Sequence, residues 1–337
     1  MPASANQEAV PRVIPYAELS VPVLILLLIG GLVVLSAGGD FLARGAASLA
    51  LVLELNPVVV GLTVVAIATS LPELVTALIA AGDGEDDLAI GNIVGSNLAN
   101  VGLILGVSAL VFPLTIQQRL IRKEVPILLA LSGLFFALSF GGLSRIEGGV
   151  LFLCMLGYLY FVTREAKTLP ADEAEVSPDL ANPIKSVPKC ILLVVLGGVF
   201  LWLGAELLIN SAAVLAEKAG IPKVIVGLTI VAIGTSLPEL AASVAAALRK
   251  QSDIIAGNIV GSNIFNIVLI GGGVGTVYSL DVNERLFYLE FPAMIVFSGL
   301  LWFIFITQKR VVRAEGAILL LLYVVTLLAS TWLQWAT

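Results

Sequence analysis

Two long motifs return at a fixed distance along this chain. Residues 61–74 read GLTVVAIATSLPEL and residues 227–240 read GLTIVAIGTSLPEL. Residues 91–106 read GNIVGSNLANVGLILG and residues 257–272 read GNIVGSNIFNIVLIGG. Gly61 and Gly227 stand 166 residues apart, as do Gly91 and Gly257, so the two copies stay in register with nothing inserted. The same spacing links Asp40 to Glu206 and the Glu124-Val-Pro126 triplet to Glu290-Phe-Pro292. Arg145-Ile-Glu147-Gly148 returns as Arg313-Ala-Glu315-Gly316 after a slip of two residues. Duplication on this scale makes the chain two copies of one unit.

Hydropathy says where those units sit. Of the 337 residues 59% are hydrophobic and 12% are charged, where a soluble domain carries about 25% charge. A membrane-crossing helix needs about 20 mostly apolar residues. Ten such runs are predicted, near 20–46, 57–81, 88–112, 124–141, 146–164, 188–216, 222–248, 254–278, 287–307 and 315–334. The first five fill residues 1–165 and the last five fill 188–337; residues 166–187, rich in Asp, Glu, Lys and Pro, form a linker on the cytoplasmic side. An odd number of spans per copy forces the copies into opposite orientations. The expected fold is therefore an all-α integral membrane protein of ten helices, arranged as two inverted five-helix repeats with a site near the midplane. With the N-terminus outside, 13 of the 18 Lys and Arg fall in cytoplasmic connections, a clear positive-inside bias. An even number of spans then leaves both termini outside a multi-pass protein of the cell (inner) membrane. The polar N-terminal tail with its single basic residue, Arg12, does not read as a signal peptide.

The repeated motifs carry the chemistry. Pro72 and Pro238 lie inside apolar spans, where a proline frees the carbonyl four residues back, here those of Ala68 and Gly234. A glutamate, Glu73 or Glu239, follows each proline directly. An acid at that depth is functional by default. Ala66, Thr69, Ser70 and Glu73 fall on one helical face, and Ala232, Thr235, Ser236 and Glu239 repeat the set. Asn92, Ser96 and Asn100, and their counterparts Asn258, Ser262 and Asn266, step along one face of the next span. Hydroxyls, amide oxygens, freed carbonyls and two carboxylates make an all-oxygen set suited to Na⁺ and Ca²⁺.

Other classes lose ground. The chain has no histidine, the usual residue of zinc hydrolases and common in proton relays. A net charge of -6 lacks the basic footprint of a nucleic-acid binder. Cys154 and Cys190 are too few for a disulfide framework and read as apolar filler. Asp40 is expected to pair with Arg44 one turn on, and Glu124 and Glu290 read as interfacial caps. The acidic run at 82–87 reads either as a cation-gathering vestibule or as a solvated loop.

Taken with their spacing, ATSLPEL with GNIVGSNLAN and GTSLPEL with GNIVGSNIFN resemble the two alpha repeats of the calcium/cation antiporter superfamily, in particular its prokaryotic sodium/calcium exchangers. The resemblance covers nearly the whole chain. It implies a secondary antiporter, not an enzyme, with the first and sixth helices sliding across a core of the other eight. It places Ca²⁺ at Thr69, Glu73, Thr235 and Glu239. Sodium would fall at Ala66, Ser70, Ser96, Asn100, Ala232, Ser236, Ser262 and Asn266. Asparagine at 266, where potassium-dependent relatives often carry aspartate, and GNIVGSN in place of the proton-coupled branch's GNAAEH-like motif, put potassium or proton coupling second. No cofactor is expected beyond the transported Ca²⁺ and Na⁺. The expected partners are the lipid bilayer and small inorganic cations, with no nucleic acid and no soluble partner evident.

Overall fold

The computed structural model describes residues 15–166, 184–220, 234 and 236–336, with side chains to 333. Ten long helical elements follow one another: α1 (Val21–Val52), α2 (Pro57–Gly82), α3 (Asp86–Val111), α4 (Val125–Leu138), α5 (Arg145–Ala166), α6 (Val187–Lys218), α7 (Leu237–Leu248), α8 (Ser252–Val277), α9 (Glu290–Gln308) and α10 (Arg313–Ala336). They are the ten predicted spans. Among the described residues, eight stretches are long and apolar enough to cross a membrane by themselves. The other two are α4, extended backwards by a turn at Leu120–Glu124, and α7, described only from Leu237. The first part of the 222–248 span and most of the 166–187 linker lie outside the described residues.

The repeat shows in how the elements begin and turn. Ser20 followed by Pro22 opens α1, and Ser186 followed by Pro188 opens α6; proline in the first turn gives up an N–H that has no helical partner anyway. The turn between α2 and α3 needs a left-handed residue and has Gly84 at φ +77. The matching turn between α7 and α8 puts Lys250 there at φ 57, a conformation that a side chain resists. The fold imposes the turn, and only one copy supplies the residue best suited to it.

α1 and α6 each run 32 residues. At 1.5 Å per residue each is about 48 Å long, well beyond the roughly 30 Å hydrocarbon core, so each is long enough to cross it at a tilt. They pack antiparallel through small residues seven apart. A Cβ at Gly31 would meet Leu208 N at 2.8 Å, at Gly38 Leu201 N at 2.6 Å, and at Gly45 Cys190 O at 3.0 Å. From the other side, Gly197 would meet Leu42 N at 2.6 Å and Gly204 would meet Leu35 N at 2.4 Å. Such backbone-to-backbone approach is open to glycine seams alone. Elsewhere the pair is exposed, with 22% of α1 and 28% of α6 buried over their apolar stretches, against 78% of α3 and 94% of α8. α3 and α8 are thus the centre of the molecule. A two-stranded ribbon, Leu114–Thr115 against Arg310–Val311, ties the α3–α4 connection to the α9–α10 connection.

Candidate ion-binding site

Four helices meet at the centre, and α2 crosses α8 closely because of glycine. A Cβ at Gly61 would lie 2.7 Å from Ile254 O, one at Gly257 2.7 Å from Val58 O, and one at Gly261 2.6 Å from Leu62 O. Bringing those backbones together sets the polar face of α2 against the polar face of α8.

The helices are also wound irregularly here. A π turn spans Gly61–Val65 in α2, and others begin at Asn100 in α3 and Asn266 in α8. The last two sit at equivalent places in the repeat. In both, the backbone N–H of the asparagine is shared between two carbonyls, those of Ser96 and Asn97 or of Ser262 and Asn263. Such bulges open the hydrogen-bond ladder and are common at functional sites. Ala66–Gly82 stays α-helical through Pro72, and a π turn lies just upstream of it. Pro238 instead stands in the first turn of α7, with Ser236 as the residue before the helix.

Of the twelve residues expected to bind ions, ten are described and all ten are buried. They are Ala66, Thr69, Ser70 and Glu73 on α2, Ser96 and Asn100 on α3, Ser236 and Glu239 at the start of α7, and Ser262 and Asn266 on α8. Ala232 and Thr235 lie outside the described residues. Glu73 is 1% exposed and Glu239 is 2% exposed. Their carboxyl groups lie close enough to act on each other. The two glutamates, far apart in sequence, therefore share one site.

Around them runs a polar network. Asn92 Nδ2 donates to the backbone oxygen of Glu73 at 3.2 Å. Asn258 Oδ1 accepts from Thr69 Oγ1 at 3.4 Å and from Ser262 Oγ at 3.3 Å, while its Nδ2 donates to Ser243 Oγ at 3.2 Å. Asn100 Nδ2 donates to Asn263 Oδ1 at 2.9 Å. Several buried oxygens have no hydrogen-bond partner: Ser70 Oγ, Glu73 Oε2, Ser96 Oγ, Glu239 Oε2 and Asn266 Oδ1. Buried polar atoms are nearly always paired, and each orphan calls for an explanation. These five orphaned oxygens, all on residues expected to bind ions, are what a desolvated cation would satisfy. Among the described residues there is no cluster of three or more acid, histidine or cysteine side chains, so the charge available is that of the glutamate pair.

Asn263 and Ser243 did not stand out in the sequence. For Asn263 a signal was there, because GSN occurs in both copies and puts Asn97 at the equivalent place. Ser243 has no such signal, since its counterpart is Ala77. Away from the site, Asp40 does pair with Arg44, at 3.4 Å, and also with Arg249 of the α7–α8 turn. Glu124 is no interfacial cap: it is fully buried and takes Arg119 Nε at 2.8 Å. Asp86 and Asp87 of the acidic run open α3 and hold the α8–α9 connection, Asp86 accepting from Asp281 N at 2.9 Å and Asp87 from Asn283 Nδ2 at 3.2 Å.

Comparison with known proteins bears on the family and the fold. The chain matches the Sodium/calcium exchanger protein family over residues 23–164 and 189–332, one match in each copy of the repeat. It is 34% identical to the Sodium/calcium exchanger MaX1 of Methanosarcina acetivorans over 335 residues, covering 89% of this chain and 96% of that one. It is 36% identical to the Inner membrane protein YrbG of Escherichia coli over 299 residues, covering 82% and 88%. Among solved structures, the sodium-calcium exchanger NCX_Mj soaked with zero Na⁺ and Ca²⁺ superimposes with a TM-score of 0.79 at 30% identity, covering 91% of this chain and 98% of that one.

Proposed function

Because the chain belongs to the sodium/calcium exchanger protein family, a family of cation antiporters, we propose that it exchanges Na⁺ for Ca²⁺ by alternating access at the Glu73–Glu239 site. The observation that carries the reading is the pair of neighbouring buried carboxyls, together with orphaned oxygens on other residues expected to bind ions. In this reading Ca²⁺ sits between Glu73 and Glu239, whose two charges it neutralises, with the Thr69 and Thr235 carbonyls completing its shell. Sodium ions take the same carboxylates together with the oxygens of Ala66, Ser70, Ser96, Asn100, Ala232, Ser236, Ser262 and Asn266. Sharing the carboxylates makes the two loads exclusive, which is the requirement for exchange.

If three Na⁺ exchange for one Ca²⁺, as the resemblance to the sodium/calcium exchangers implies, one net charge moves per cycle. Transport would then respond to voltage by about 2.3 kcal/mol per 100 mV. The empty site leaves two carboxylates bare inside the protein, which opposes its reorientation and so suppresses leak. The positive-inside rule supports an orientation with the basic connections in the cytoplasm and both termini outside. YrbG, named an inner membrane protein, supports the cell membrane as the location.

The test is radiolabelled Ca²⁺ uptake into proteoliposomes loaded with Na⁺, K⁺ or acidic buffer, with the membrane potential clamped. Uptake with an outward Na⁺ gradient alone is the expected result. Uptake driven by a proton gradient and indifferent to Na⁺ would overturn the coupling ion, and uptake requiring K⁺ would add a third ion.

A further inference from the structure

We propose that Asn263 is a positioning residue for sodium: it takes the amide hydrogen of Asn100 so that the Asn100 side-chain oxygen is the atom offered to the ion. The inference rests on the exchanger reading above and names a residue that the reading leaves without a role.

An asparagine is chemically two-faced. Its Nδ2 is a donor and its Oδ1 an acceptor, and they are interchanged by a half-turn of the terminal torsion. A cation site can use only the oxygen, and an N–H pointed at the ion would repel it. An asparagine ligand therefore needs something to hold its nitrogen elsewhere. At Asn100 that holder is visible. Nδ2 donates to Asn263 Oδ1 at 2.9 Å, well within hydrogen-bond geometry, and both residues are buried. The holder belongs to α8, in the opposite copy of the repeat from α3, so the bond also fixes the distance between the two central helices. Asn263 uses its own oxygen for this purpose, which is why it is assigned to positioning and not to ion contact.

The neighbouring hydroxyls follow the same rule. Ser262 sends its hydrogen to Asn258 Oδ1, and the one hydrogen of Thr69 is claimed by two protein oxygens, Ala66 O at 3.3 Å and Asn258 Oδ1 at 3.4 Å, so both hydroxyls keep oxygen lone pairs for other partners. The equivalent pair, Asn97 and Asn266, differs here. Asn97 Nδ2 donates to Ile93 O on its own helix at 2.8 Å, and the Oδ1 atoms of Asn97 and Asn266 have no partner.

The experiment measures the Na⁺ and Ca²⁺ concentrations that half-maximally raise the melting temperature of the purified full chain, so that it does not depend on transport. Asn263→Ala is expected to raise the Na⁺ midpoint by roughly tenfold, the scale of one lost buried hydrogen bond, and to leave the Ca²⁺ midpoint within about twofold. Asn263→Thr, which keeps an acceptor oxygen, should hold the Na⁺ midpoint within about threefold of wild type. Asn100→Ala should match Asn263→Ala, and the double variant should be no worse than Asn100→Ala alone, because one residue acts through the other. Additive losses, or equal shifts for Na⁺ and Ca²⁺, would overturn the inference and leave the exchanger reading standing. Failure of Asn263→Thr to fold and bind Ca²⁺ would assign Asn263 to the fold and also overturn it. A wild-type chain that Na⁺ does not stabilise would sink the exchanger reading itself, and this inference with it.

Discussion

The two copies of the repeat agree in backbone and disagree in charge. Seam glycines stand at 31 and 38 in one copy and at 197 and 204 in the other, and π turns begin at Asn100 and at Asn266. Among the described residues the ion pairs are not duplicated. Arg119 and Glu124 form a buried bridge in the first copy. The second copy has the same two residue types at the same spacing, Arg285 and Glu290, yet Arg285 is exposed and Glu290 accepts from Ser330 Oγ instead. Asp40 binds Arg249 across from α1 to the α7–α8 turn. Its counterpart Glu206 hydrogen-bonds Asn210 on its own helix, and the position matching Arg249 is Asp83, another acid. Both bridges lie at the end of the bundle that carries most of the basic residues. The two copies thus share seam glycines and π turns, while the described ion pairs belong to one end of the bundle.

That contrast can be broken at the buried bridge first. Arg119→Ala leaves Glu124 desolvated and unpaired and should lower stability by about 3–5 kcal/mol. Arg285→Ala, at the equivalent exposed site, should stay within about 0.5 kcal/mol. Thermal unfolding of both in one detergent makes the comparison, and equal losses would contradict it.

The seam comes next. Gly38→Ala places a methyl 2.6 Å from a backbone nitrogen of α6 and is expected to lose about 1–3 kcal/mol. Gly30→Ala, one residue before the seam glycine Gly31 and with no described atom within 4 Å of its Cβ position, should be neutral to within about 1 kcal/mol. Melting curves that do not separate the two would remove glycine as the reason for the close approach.

Asp40→Asn should have a smaller effect, under about 1 kcal/mol, since the Asp40 side chain is 38% exposed; high salt should reduce the difference further. The smallest effect is expected at the turn. Lys250→Gly relieves a left-handed residue but adds freedom to the unfolded chain, for a net gain of less than about 1 kcal/mol. A loss there would mean that the lysine side chain does more than occupy the turn.

Much of this was legible in the sequence because hydropathy and repetition are strong signals. All ten helices fall on the predicted spans, and the motif glutamates meet as expected. What escaped has physical reasons. A π turn adds one residue to a helical turn, and in helices as fully buried as α3 and α8, at 78% and 94%, the shift leaves no mark on the apolar pattern, so Asn100 and Asn266 read as ordinary steps along a face. Asn263 lies off the face traced through Asn258, Ser262 and Asn266, and its partner Asn100 is 163 residues away. Glu124 has an interfacial sequence context, but Arg119 folds back over it, a side-chain arrangement that spacing alone does not encode. The Asp40–Arg44 pair was readable because it is local. The Arg249 partner was not, because it arrives from another helix.

The central claim is that the two glutamates together carry the exchanged ions. Na⁺-driven Ca²⁺ uptake by Glu73→Gln and by Glu239→Gln, in sealed proteoliposomes with protein content matched to wild type, tests it most directly. The account predicts that each single substitution brings uptake down to that of protein-free vesicles. Near wild-type uptake in either variant would contradict it.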